Sequence, residues 1–172
     1  INSLDGGHHV AFTSSFSKTV APGLRVGYVV VPDALRAAYD ERAVSTYISP
    51  SLLPQAVVHE LHARGAFEPN LERVQGLLRT RRDAMLAALQ REMPAGVTWS
   101  RPEGGYFVWV DFGPGADAAD LLRRAAEEGV TFVRGSDFFP PGLGGGTSAR
   151  LAFSYESPER IAEGVAILAA LL

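Results

Sequence analysis

Lys18 stands inside the run Ser14-Ser15-Phe16-Ser17-Lys18-Thr19-Val20-Ala21-Pro22-Gly23-Leu24-Arg25-Val26-Gly27-Tyr28, where two kinds of chemistry converge. A lysine amine, once deprotonated, adds to an aldehyde and forms a Schiff base. The hydroxyls of Ser15 and Ser17 and the guanidinium of Arg25 supply what a phosphate requires: donors around its oxygens and one fixed positive charge. A second candidate lies near the other end, in Ser148-Ala149-Arg150-Leu151-Ala152-Phe153-Ser154-Tyr155. The planar fork of Arg150 can give a carboxylate two parallel hydrogen bonds and stays charged at any working pH.

An aldehyde that carries a phosphate is pyridoxal phosphate (PLP). The lysine run resembles that of the fold type I PLP-dependent aminotransferases, class I/II, whose pattern is Ser-Phe-Ser-Lys, a short spacer, then Pro-Gly-x-Arg-x-Gly-Tyr. Every one of those positions is matched between Ser15 and Tyr28. Arg150-Leu151-Ala152-Phe153-Ser154 is similar to the family's closing Arg-Leu-x-Phe-Ser strand, and Pro102-Glu103-Gly104-Gly105-Tyr106-Phe107 to its Pro-x-Gly-Gly-x-Phe hairpin. The resemblance implies that Lys18 is the Schiff-base lysine and proton carrier, that Ser15, Ser17 and Arg25 hold the cofactor phosphate, and that Arg150 binds the substrate α-carboxylate. It implies a cytoplasmic homodimer exchanging an amino group between an α-amino acid and a 2-oxo acid. The subgroup resembled includes 2-aminoadipate, kynurenine and aromatic aminotransferases. Two other readings share the lysine segment: the aminotransferase-like effector domain of a transcriptional regulator, and a PLP lyase of the same fold. The hairpin Gly104-Gly105-Tyr106-Phe107-Val108-Trp109 resembles the enzyme version more than the regulator version.

The 172 residues are 47% hydrophobic and 20% charged, the balance of a globular chain able to bury a core. A formal net charge of −3 offers no basic face for nucleic acid and no polybasic patch for a membrane. The chain has no cysteine, so no disulfide or thiolate metal site can be built from it. Its apolar runs fall short of a membrane span. Residues 1–9 are polar and Gly-rich, unlike a signal peptide.

These elements imply an α/β fold: the end of a large PLP-binding domain followed by a small C-terminal α/β domain. The divisions expected are 1–33 for the end of the large domain, 34–54 for a connecting helix and linker, and 55–172 for the small domain. The chain opens without methionine, and the large-domain residues that complete the family's cofactor site are expected upstream. Strands are expected over 10–14 and 25–31, the second buried on both faces. Asp33 is expected to cap a helix running toward Ala43, with a break over 45–54 and a helix over 55–64 stopped by Gly65. Leu71, Val74, Leu78, Met85 and Leu89 predict an amphipathic helix over 70–92, with Arg73, Arg79, Arg82 and Arg91 on a solvated face. Further strands are expected over 97–100, 106–112, 130–134 and 150–154, and an irregular loop over 135–147. Asp117 and Ser157 read as helix caps, with Pro158 at the first helical position and Leu172 on the last helix's apolar face.

The remaining polar clusters carry less. His59 and His62 lack the four-residue spacing of a helical zinc motif and read as ordinary helix residues. His8-His9 has no third ligand nearby. Gly144-Gly145-Gly146 is followed by no Lys-Ser/Thr and no helix start, so it is not a phosphate loop. Tyr47 and Tyr155 read as packing, whereas Tyr106, beside the glycine turn, is open to a substrate role.

Overall fold

The lysine run is held between two short antiparallel strands, β1 (Phe12–Ser15) and β2 (Gly27–Val30), which follow a single helical turn, α1 (Asn2–Asp5). The computed structural model describes residues 2–172. They form two compact units, Ile1–Val74 and Gln75–Leu172, and the division falls within a helix.

In the first unit, the strands run in register from Phe12↔Val30 to Ser15↔Gly27. Leading into them, the Asp5 carboxylate accepts the His9 and Val10 N–H groups at 2.7 and 3.0 Å, and these bonds hold it below the ordinary carboxylate range. The sequence suggested burial of the second strand on both faces. Instead β2 is exposed along its length, because its only ladder partner among the described residues is β1 and a two-stranded sheet covers neither face. Two helices follow, α2 (Asp33–Thr46) and α3 (Leu52–Ala63). Asp33 is not the cap of α2 but its first residue, after a Pro32 that has no cap bond to offer; its carboxylate still suits the positive helix start. The break between the helices is shorter than expected, since Pro54 sits in the first turn of α3, where its missing N–H costs nothing. Gly65, at φ 64°, ends α3 with its N–H on the His62 carbonyl at 2.9 Å, a conformation glycine adopts without strain. Tyr47, expected to pack, is 59% exposed.

Helix α4 (Phe67–Glu92) begins three residues earlier than its apolar spacing indicated, with Pro69 tolerated in the first turn. The second unit takes up its later part and adds β3 (Thr98–Trp99), β4 (Phe107–Asp111), α5 (Ala118–Glu127), β5 (Val133–Arg134), β6 (Ser148–Ala152) and α6 (Pro158–Ala170). The strands form one antiparallel sheet in the order β3-β4-β6-β5. Alternation decides its faces: Val108, Val110, Ala149 and Leu151 point inward and are buried. Against them pack Met85 and Leu89 of α4, Leu121 and Ala125 of α5, and Ile161, Val165 and Leu168 of α6. Three helices thus cover one face and leave the other to Phe107, Trp109 and Arg150.

The other two expected caps, Asp117 and Ser157, are local and form. Asp117 accepts from the N–H groups of Ala119 and Asp120 at 2.9 and 3.1 Å, and Ser157 from that of Arg160 at 3.4 Å. Hydrogen bonds from Arg123 and Arg124 hold the Asp120 carboxyl below its ordinary range, and Arg124 also reaches the Leu171 carbonyl at 2.6 Å, tying α5 to the end of α6. Arg82 departs from the solvated face predicted for α4. Its side chain is only 19% exposed and donates to the Glu103 carbonyl at 2.9 Å, bracing the glycine turn. Leu172 lies past the end of α6 and is 46% exposed, and Tyr155 is 85% exposed. No helix among the described residues is long and apolar enough to cross a membrane.

Candidate active site

Four of the five residues singled out for chemistry share the first unit and one anchored loop. Phe16 starts it. Its N–H donates to the Val26 carbonyl at 3.0 Å, and its own carbonyl gathers the N–H groups of Thr19, Val20 and Ala21 at 3.3, 2.8 and 3.2 Å. The turn that carries Lys18 is therefore closed on one oxygen. The Phe16 ring lies 5.7 Å from Tyr28, 5.9 Å from His62 and 6.2 Å from Phe67, and His62 stacks on Phe67 at 4.2 Å. His62 thus works as a packing ring. Asn70, at the start of α4, adds a bond to the Thr19 carbonyl at 2.9 Å.

A 3-10 turn, Pro22–Leu24, then delivers Arg25 in the left-handed conformation, with φ 53° and ψ 35°. That backbone is costly for a non-glycine residue, by about 1–3 kcal/mol, and such strain gathers where a ligand must be met. It turns the guanidinium back over the loop: Nη1 donates to the Pro22 carbonyl at 3.2 Å and to the Ser17 hydroxyl oxygen at 3.5 Å. Ser15 ends β1 opposite Gly27, where an added Cβ would stand 3.0 Å from the Ser14 carbonyl oxygen and press on the β1 backbone. The result is one loop presenting two hydroxyls, a guanidinium and an amine, the donor set that a phosphate-bearing aldehyde requires. Pyridoxal phosphate fits these residues. Lys18 is also the chain's only lysine, its fifteen other basic residues being arginines, which stay protonated and cannot make the same bond.

Arg150 belongs to the second unit. It sits in the middle of β6, opposite Trp109 on β4 and Val133 on β5. Its Cζ lies over the Phe107 ring at 3.9 Å from the centroid and over the Phe138 ring at 4.7 Å. Its Nε is buried and has no hydrogen-bond partner among the described residues. A charged donor in that state costs more than an ordinary unmet bond.

Phe138 escaped the sequence reading. It belongs to a 3-10 turn, Gly135–Phe138, inside what had read as an irregular loop. The available signal was a pair of aromatics, Phe138-Phe139, in a Gly/Pro-rich stretch, where packing alone gives little reason for them.

Residues 1–168 match the family model for aminotransferase class I and II. The chain belongs to that family, the fold type I group that works with pyridoxal phosphate. It is 44% identical over 157 residues to a 2-aminoadipate transaminase of Thermus thermophilus, covering 91% of this chain and 39% of the relative. It superposes with a TM-score of 0.87 and 41% identity on the α-aminoadipate aminotransferase LysN from the same species, crystallised with N-(5′-phosphopyridoxyl)-L-leucine, covering 99% of this chain and 43% of that one. It is also 31% identical over 165 residues to an uncharacterised HTH-type transcriptional regulator of Bacillus subtilis, covering 96% of this chain and 34% of the relative. The chain thus spans between a third and somewhat over two-fifths of the length of these proteins.

Proposed function

We propose that these residues are the lysine-bearing part of a PLP-dependent aminotransferase that moves an amino group between an α-amino acid and a 2-oxo acid. The observation that carries the reading is the chain's single lysine on a loop closed by Phe16, with Arg25 reaching Ser17, the lysine's neighbour in sequence, at 3.5 Å. Ser15, Ser17 and Arg25 hold the phosphate. Pyridoxal phosphate, when bound, supplies the electron sink that lets a proton leave the substrate Cα. Lys18 Nζ takes that proton and returns it at the other end of the exchange, and Arg150 holds the α-carboxylate through its fork. Residues 1–33 close the large cofactor-binding domain, 34–54 connect, and 55–172 form the small domain of the full-length protein. A cytoplasmic homodimer belongs to the same reading. The similarity to a 2-aminoadipate transaminase and to a leucine-adduct structure points to α-amino acids with extended side chains as the first substrates to assay.

The test is chemical. Borohydride reduction of the PLP-loaded full-length protein, followed by peptide mapping, should place the pyridoxyl group on Lys18, and Lys18→Arg should abolish it. A pyridoxyl group found only on a lysine outside these residues would remove the reading.

Relatives that are HTH-type transcriptional regulators support a second reading, the effector domain of such a regulator. The higher identity to the transaminase, and the enzyme-like hairpin Gly104–Trp109, favour the enzyme. Sequence-specific DNA binding without turnover of any α-amino acid would reverse that order, and product analysis separates a transaminase from a lyase.

A further inference from the structure

Among the described residues, the Arg150 guanidinium is held by aromatic rings. An arginine has several rotatable bonds, and a guanidinium that must meet a carboxylate with both arms is ordinarily fixed by a carboxylate or a carbonyl of its own protein. Among the described residues no such partner holds it, and its buried Nε is left without an acceptor. What touches the guanidinium is aromatic: Phe107 at 3.9 Å and Phe138 at 4.7 Å from the ring centroids.

The fold builds this arrangement on purpose-suited positions. Phe107 and Trp109 alternate onto the sheet face away from the helices, and because Trp109 stands directly opposite Arg150, Phe107 is its diagonal neighbour, within reach of a long side chain. On the other side, Val133 of β5 pairs with Arg150, and the chain turns at once through Gly135–Phe138 to bring a second ring back. Trp109 braces that ring edge-on at 5.4 Å. The turn is pinned by a backbone crossing that tolerates no side chain: a Cβ on Gly135 would stand 2.7 Å from the Gly145 carbonyl oxygen and 2.7 Å from the Ser148 Cβ.

We infer that Phe107 and Phe138 are positioning residues for substrate binding: their rings hold the Arg150 guanidinium by cation–π contact, fixing it without occupying its hydrogen-bond donors, so that no protein acceptor competes with a carboxylate for them. An ion pair would also fix the arginine, but it would compete with the substrate for the same N–H groups. Stacking does not compete. The inference rests on the reading of Arg150 as the carboxylate-binding residue.

The test uses the full-length, PLP-loaded protein and three kinds of variant. Phe138→Leu and, separately, Phe107→Leu keep apolar bulk but remove the ring face. Phe138→Tyr keeps the ring. Arg150→Ala removes the group being aimed. Steady-state kinetics with an α-amino acid are read as KM and kcat apart, and binding of an unreactive monocarboxylate, 4-methylvalerate, is measured by calorimetry as a readout independent of turnover. If the rings aim the guanidinium, each Leu variant raises KM and the 4-methylvalerate Kd about tenfold, with kcat held within about twofold, because binding shared by ground and transition states has been lost. Phe138→Tyr then keeps the parent values. A merely structural role would lower the melting midpoint and the fraction of active enzyme, hence kcat, and leave KM in place. Unchanged KM and Kd in both Leu variants, with a large rise in Arg150→Ala, would overturn the inference and leave the reading of Arg150 standing. Unchanged values in Arg150→Ala itself would overturn both.

Discussion

Removing the guanidinium of Arg150 should separate substrate binding from cofactor binding, because the phosphate donors lie on a different loop, that of Lys18 and Arg25. Loss of a charged, hydrogen-bonded partner costs about 2–5 kcal/mol, so Arg150→Ala should lower kcat/KM by about two orders of magnitude while Lys18 still takes up the pyridoxyl label. Steady-state kinetics beside borohydride labelling check both halves; unchanged kcat/KM toward α-amino acids would take Arg150 out of the site. Arg150→Lys should rescue little, since an ammonium keeps the charge but lacks the delocalised guanidinium whose Cζ lies over Phe107 and Phe138 and the fork that grips two oxygens. At this scale the lysine loop was legible in the sequence because its chemistry is local: Ser15, Ser17, Lys18 and Arg25 fall within eleven residues and need one turn to meet. The rings around Arg150 were not, because they come from β4 and from a turn after β5. No spacing along the chain reports a contact made across a sheet.

Some element ends set by their own residues fall where the sequence puts them, although the starts of α2, α3 and α4 each lie one to three residues from their expected places. The Asp117 and Ser157 caps and the Gly65 stop each depend on groups within a turn or two. Strand β5, by contrast, shrank to Val133–Arg134, because pairing with β6 and not β-propensity decides its length. The segment 135–147 read as loose because it is rich in glycine and proline, yet two of those glycines serve the opposite purpose. Gly135 is buried, and Gly145, at φ 74°, crosses it so closely that a Cβ there would come 2.6 Å from the Gly135 carbonyl oxygen. Gly135→Ala should therefore behave as an overpacked core substitution, destabilising by about 1–3 kcal/mol. Because the same crossing seats the turn that carries Phe138, it should also raise the KM for amino acids. A thermal melt beside a Michaelis curve checks the pair of effects, and an unchanged melt would show that the crossing relaxes freely.

The two units of the chain differ in what they can sustain by themselves. The second closes a core among α4, α5, α6 and one face of a four-stranded sheet, enough layers to bury its apolar side chains. The first holds the reactive lysine on a two-stranded sheet whose strands are exposed throughout, with Tyr28, Val29 and Val30 each more than 40% accessible. A lone pair of strands is marginal in water, and an uncovered apolar edge invites pairing with another chain. The relatives are more than twice as long, and the resemblance assigns to their large domain the remaining phosphate ligands and the group that keeps the cofactor's pyridine nitrogen protonated. A polypeptide of these 172 residues alone should accordingly bind PLP weakly and turn over no amino acid, although it contains Lys18. Hydrogen exchange should show protected amides in β4, β6 and α6 and fast exchange in β1 and β2. Titration with PLP, followed by absorbance of the lysine adduct and by a transaminase assay, decides the matter: stoichiometric uptake with turnover would mean that the loop from Ser15 to Arg25 holds the cofactor without help, and that the exposure of β1 and β2 carries no functional cost.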